Sequence, residues 1–216
     1  MPQGRDNHPV FARMYARVGP AMDRGGMAEH RAQLLSGLTG AVVEIGCGNG
    51  LNFAHYPAAV TRVLAVEPDP YLRRLADEAA SAAPVTIEVV DAVAERVPAP
   101  DASFDAAVAC LVLCSVPDQD AVLGELHRVL KPGGTLRFLE HVRGTTPGMV
   151  RFQRVADRTV WPLMAGGCHV SRDTEAAIGR AGFTRMEVSH FHFPAGRLPH
   201  PAAPHVLGTA TRKQIG

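Results

Sequence analysis

Three glycines in five positions, Gly46, Gly48 and Gly50, follow directly on the apolar run Ala41-Val42-Val43-Glu44-Ile45. A glycine turn after a strand lets backbone approach a ligand more closely than any side chain would allow. A dinucleotide fingerprint has its glycines at the first, third and sixth positions. Here they stand first, third and fifth, with Leu51 at the sixth. Glu44 lies two residues before the first glycine. A carboxylate there opposes a pyrophosphate and suits a ligand with a cationic end, an ammonium or a sulfonium. A second acid, Glu67, comes 21 residues after Gly46, at the end of another apolar run. From that place a carboxylate accepts hydrogen bonds from ribose hydroxyls. Asp91, in Val90-Asp91-Ala92, is placed either to bind the exocyclic amine of an adenine or to cap a short helix.

Proton chemistry has three candidates. His141 closes the run Thr135 to Val142, and an imidazole titrates in the useful range; the alternative is a buried histidine bonded to backbone. His169 stands near Arg172 in a segment placed to roof a site, where a loop or cap role is equally open. Asp91 could orient an acceptor, but it is a weak base unless desolvated. Ten histidines invite a metal, yet His190 and His192, and His200 and His205, lack zinc-like spacing. The cysteines Cys47, Cys110, Cys114 and Cys168 form no C-x-x-C pair, so no metal site is expected. Cys110 and Cys114, near the end of a strand, are expected to be buried and inert.

These groups need a scaffold of alternating strands and helices. Strands are expected at 41–45, 62–67, 85–90, 104–113 and 135–142, each after the first reached through a helix or turn. Asp69 is placed to cap a helix over 70–83, which Pro84 closes, and a further helix is expected over 118–130. Such alternation implies right-handed crossovers and a mostly parallel sheet covered on both faces. Ahead of it, Phe11, Met14, Tyr15 and Val18 recur at helical spacing. Gly19-Pro20 is expected to end that helix, and a second to run from Met22 to Leu38 with Gly25-Gly26 as its weak point. An irregular insert with a helix is expected over 143–170, then a helix over 172–181. Strands at 185–193 and 205–212 follow, joined by a loop bearing Pro194, Pro199, Pro201 and Pro204. They read as an antiparallel hairpin.

Composition narrows the function. The 216 residues are 46% hydrophobic and 20% charged, enough to bury a large core. The formal net charge is +1, with neither a basic excess nor a basic stripe, which argues against nucleic acid. No apolar run reaches the roughly 18–20 residues of a membrane span, and residues 1–10 lack a secretory signal. A cytoplasmic protein with reduced thiols and no stable membrane anchor is expected. Usage rich in Ala, Arg and Pro suggests a GC-rich bacterial genome.

Glu44-Ile45-Gly46-Cys47-Gly48-Asn49-Gly50, Glu67, Asp91-Ala92, Ser103-Phe104-Asp105 and Lys131-Pro132-Gly133-Gly134, in this order, resemble the class I S-adenosylmethionine (SAM)-dependent methyltransferases. The likeness covers about residues 40–142. It implies a Rossmann-like α/β fold, a seven-stranded, mostly parallel sheet with an antiparallel last strand and helices on both faces. SAM is then the cofactor and S-adenosylhomocysteine the product. The resemblance assigns the cofactor to Glu44, Gly46, Cys47, Gly48, Asn49, Gly50, Asn52, Glu67, Pro68, Asp91, Ala92, Cys110 and Leu111.

A closer likeness lies in Asn52-Phe53-Ala54-His55-Tyr56-Pro57, Leu113-Cys114-Ser115-Val116, Leu139-Glu140-His141-Val142 and Gly167-Cys168-His169-Val170-Ser171-Arg172-Asp173-Thr174. These resemble the methyltransferase-like 7 or thiol S-methyltransferase proteins and their bacterial relatives. That likeness implies methylation of a small molecule, at a thiol sulfur before a quinone or phenol carbon or oxygen, by direct in-line transfer. Residues 1–40 are expected to form helices that lid the acceptor site, and residues 41–216 the cofactor-binding domain with its insert at 143–170. His141, Asp91 and His169 are the candidates for catalysis.

Overall fold

The computed structural model describes residues 9–159, 161–194, 196 and 200–213. Met1 to His8 and Pro199 of the proline loop lie outside them. Seven strands form one sheet in the order β3-β2-β1-β4-β5-β7-β6. They are β1 (Gly40–Ile45), β2 (Val60–Val66), β3 (Ile87–Val90), β4 (Phe104–Cys110), β5 (Leu130–His141), β6 (Phe183–His192) and β7 (Pro204–Arg212). β1 to β5 run parallel, and β7 pairs antiparallel with both β5 and β6. This is the class I methyltransferase fold that the sequence resembles, hairpin included.

Period-two alternation sends side chains to two cores. Val43, Ile45, Ala107, Ala109, Leu136 and Phe138 meet Val122, Leu123 and Leu126 of α4 (Gln119–Val129) and Ala177 and Ile178 of α7 (Thr174–Arg180) on one face. Val42, Val63, Ala65, Ala106, Val108 and Leu139 meet Leu34 and Leu35 of α2 (Ala28–Leu35) and Ala76 of α3 (Pro70–Ala80) on the other. Burial on both sides explains why the parallel strands read as continuous apolar runs.

The expected boundaries hold within a few residues, except that β5 starts at Leu130, five residues early, and the break between the N-terminal helices is displaced. α1 (Pro9–Met22) runs through Gly19-Pro20 without ending. Gly19 has no Cβ to clash with the proline ring, so the residue before Pro20 stays helical. The chain turns instead in a π-type segment, Asp23–Met27, where Gly26 takes φ 113°. The insert carries α5 (Pro147–Asp157) and the short α6 (Trp161–Met164). No helix among the described residues is long and apolar enough to cross a membrane.

Candidate active site

The chain leaves β1 for β2 on one side and returns as β4 on the other, so the strand order reverses between β1 and β4. In open α/β sheets a ligand crevice forms at the carboxyl ends of the strands at such a point. Two turns meet there. Gly46, Gly48 and Gly50 all have positive φ, 58°, 57° and 79°. A Cβ on Gly46 would overlap Val112 Cγ2, and one on Gly48 would lie 3.0 Å from Tyr15 Cε1. Across from them Leu111, just past β4, holds φ 57° and donates its N–H to the Leu139 carbonyl at 2.7 Å. A branched-chain-sized residue in the left-handed region is a strained conformation of the kind found at functional sites.

Glu67, at the end of β2, reaches into the glycine turn. Its carboxylate accepts from Gly48 N at 2.8 Å and Asp69 N at 2.9 Å. Burial raises its pKa to about 7, against the pull of those two N–H groups. Arg73 donates to the carbonyls of Glu67 and Pro68 and pairs with Asp91 at 3.2 Å. One guanidinium thus ties Glu67, Pro68 and Asp91, with Ala92 next in the chain, into one wall of the crevice.

Glu44 lies below the turn and is buried. Its two oxygens accept from Asn52 Nδ2 and Tyr56 Oη, each at 2.7 Å. Desolvation raises its pKa to about 7. Both oxygens are therefore engaged by protein donors, Asn52 and Tyr56. Asn52 in turn accepts from Arg31 Nη1 at 3.0 Å. Arg31, 2% exposed, also binds Asp23 at 2.9 Å and Cys110 Sγ at 3.1 Å. Its Nη2 has no hydrogen-bond partner among the described residues. A buried guanidinium with a donor to spare, beside the glycine turn, suits an anionic group such as an amino-acid carboxylate. Sequence reasoning missed Arg31, because one arginine in an amphipathic helix carries no local signal.

Cys47 is buried, and desolvation pushes its thiol well above the usual range. Asn49 is part of the turn and its Oδ1 is a buried acceptor without a partner among the described residues. Cys110 is buried too, and desolvation raises its pKa to about 11, so it is an unreactive thiol.

The proton-transfer candidates are not brought together. Asp91 follows β3 and His141 ends β5, four strands away, or about 19 Å at ~4.8 Å per strand. They cannot serve one reacting atom. His169 donates its backbone N–H to Cys114 O at 2.8 Å. It lines an outer cleft with Arg154, Asp157, Arg158, Ser171 and Arg172.

His141 has unexpected neighbours. Its Nδ1 lies 3.5 Å from Cys114 Sγ and 3.6 Å from Cys168 Sγ. A hydrogen bond from the Cys114 thiol, joined by His141, holds Cys168 well below the usual thiol range despite burial, while Cys114 is raised. Cys114 is buried with a raised pKa, as an inert thiol should be; the sulfur held low is its neighbour Cys168. Glu140, wholly buried, fixes this corner by accepting from the N–H groups of Val112, Leu113 and Cys114 at 3.0, 2.9 and 3.4 Å.

α1 packs on the glycine turn. Tyr15 lies on Gly48 and Gly19 on Leu51, while the Phe11 ring lies 2.5 Å from where a Gly166 Cβ would stand, beyond α6. The first helix therefore links the glycine turn to the insert.

Comparison with known proteins agrees with this geometry. A family described as a methyltransferase domain matches residues 43–138. A solved structure from Thermotoga maritima, described as a SAM-dependent methyltransferase and possible histamine N-methyltransferase, superposes with a TM-score of 0.70. It is 21% identical and covers 95% of this chain and 99% of its own. Sheet order, glycine turn and matched domain define a SAM-dependent methyltransferase, with S-adenosylmethionine as cofactor, acting on a small-molecule acceptor. Human thiol S-methyltransferase TMT1A is 35% identical over 176 residues, 80% of this chain and 70% of that protein. The chain belongs to the family of that protein. The ubiquinone/menaquinone biosynthesis C-methyltransferase UbiE of Hahella chejuensis is 41% identical over only 90 residues, 42% of this chain and 35% of that protein.

Proposed function

We propose that this enzyme methylates the sulfur of a small thiol. The observation that supports it is the extent of the likeness to thiol S-methyltransferase TMT1A, which spans 80% of the chain. The C-methyltransferase likeness stops at 42%, about the length of the cofactor-binding half. The acceptor must be recognised by the remainder, and there the chain resembles the thiol enzymes.

Bound SAM supplies a methyl group already activated on a sulfonium. The residues then have three tasks. Gly46, Gly48 and Gly50 with Cys47 and Asn49 provide a backbone cradle, whose close packing leaves no room for a Cβ on Gly46 against Val112 or on Gly50 against Ala79 and Phe53. In our reading Glu67 and Asp91, braced by Arg73, take the ribose and adenine. Arg31, held by Asp23 and by Asn52 on Glu44, takes the amino-acid carboxylate. Pro68, Ala92, Cys110 and Leu111 shape the walls. Residues 9–40 act as a lid through Tyr15 and Phe11, which excludes water and positions an apolar acceptor.

A thiol of ordinary pKa, ~8.5, is a few per cent thiolate at neutral pH. A single proton acceptor at the carboxyl end of β5 is enough to raise that share. We assign this to His141 through Nε2, since Nδ1 faces the two sulfurs. His169 and Asp91 have no part in the proton transfer in this reading.

The test is competition for labelled SAM between small alkyl thiols and phenols or quinols of similar size. Methyl transfer to the thiols at a kcat/KM at least tenfold higher is expected. Preference for the phenols or quinols would replace the proposal with C- or O-methylation.

A further inference from the structure

Cys114, His141 and Cys168 come from three segments, the loop after β4, the end of β5 and the insert, each 27 residues from the next. Their sulfur and nitrogen atoms all lie within 4.8 Å of one another. We propose that these three side chains form a site for a thiophilic divalent cation of the zinc class, bound by two sulfurs and Nδ1 with a fourth position open.

Edge lengths support this. Tetrahedral zinc with Zn–S of ~2.3 Å and Zn–N of ~2.05 Å separates sulfur from nitrogen by about 3.6 Å. The two Nδ1–Sγ distances are 3.5 and 3.6 Å. Two sulfurs and an imidazole also form a donor set that selects zinc-class cations over magnesium or calcium.

The surroundings are those of a built site. Cys114 and Cys168 are 1% and 4% exposed and sit in an apolar cluster with Ala156, Val170 and Ala202. The Glu140 carboxylate clamps the loop that bears Cys114. The His169 N–H to Cys114 carbonyl bond holds the two cysteine segments together. Such outer contacts orient ligands before the ion arrives. His141 is only half-buried, which gives the ion a way in.

Loading has a chemical consequence. With the cation on Nδ1, the imidazole proton moves to Nε2, and His141 can no longer accept one. The ion also ties the insert to the sheet, so binding stabilises the folded chain.

The experiment is Co2+ and Zn2+ titration of chelator-treated, reduced protein in the wild type and in Cys114→Ser and Cys168→Ser, with SAM affinity by calorimetry as the control for folding. One Co2+ per chain with a sulfur-to-metal charge-transfer band is expected. Each serine variant should weaken the band and lower the metal affinity at least tenfold while binding SAM as the wild type does. Zn2+ should also shield Cys114 and Cys168, but not Cys47, from alkylation in the wild type, which needs no variant. No charge-transfer band, a band undiminished in either serine variant, or no shielding of the pair overturns the proposal. Each of those results leaves thiol methylation standing, because the acceptor assay is separate.

Discussion

Glu67 is the residue on which a pH dependence turns. Its pKa of about 7 in the folded chain lies above the ordinary 4.5. The stability it contributes is therefore complete below about pH 4.5 and is lost as pH rises through 7. In the proposed ribose role, ligand binding has the opposite sign, because ribose hydroxyls would donate to the ionised form. If only that form binds, SAM affinity should fall about tenfold between pH 8 and pH 6. Calorimetry across that range checks it, and Glu67→Gln should bind more weakly with a flat profile. A wild-type profile indistinguishable from that of the variant would remove the ribose role. Residues of this kind are legible in sequence, since strand end and acid coincide. Asp69 is another: its carboxylate accepts from Tyr71 N and Leu72 N at 2.9 and 3.0 Å, as its place before Pro70 foretells. Arg31 and the Cys114–His141–Cys168 corner are illegible, because their partners are set by packing between segments far apart in the chain.

At the scale of elements, the turn between α1 and α2 decides where α1, the proposed lid, lies. The dipeptide Gly19-Pro20 looks like a stop and is not one, because a glycine before proline tolerates the helix. Gly26, at φ 113°, makes the actual turn, in a conformation that side-chain-bearing residues rarely adopt. Gly26→Ala should cost at least about 1–2 kcal/mol, or roughly 2–8 °C in Tm at ~2–4 °C per kcal/mol for a chain of this size. It should also raise KM for SAM, because Tyr15 would no longer rest on Gly48. Thermal melting and steady-state kinetics measure the two effects. An unchanged KM with a lowered Tm would make α1 a structural brace and not a lid.

In the whole molecule, the sheet is completed by a strand threaded between two others. β7 lies between β5 and β6, and Phe138 is opposite Gly208 in register. A Cβ on Gly208 would stand 2.5 Å from Phe138 Cζ, so the glycine makes room for the ring. Gly208→Ala should destabilise by about 1–3 kcal/mol through overpacking. Denaturant unfolding measures it, and pairing with Phe138→Leu should recover part of the loss; no recovery would place the strain elsewhere. The hairpin was legible from two alternating runs around a proline loop. The antiparallel last strand came from the family resemblance; its insertion beside β5 was not legible, since no local pattern names a strand's neighbour.

That threading also sets an order of events during synthesis. The central strands can pair as they leave the ribosome, but β5 keeps one side bare until residues 204–212 emerge. The newborn chain must carry a long apolar border through the translation of some sixty intervening residues (142–203), a template for joining with other nascent chains. Transient shelter by a holding chaperone, or rapid elongation across the insert, would therefore govern yield more than the stability of the finished fold.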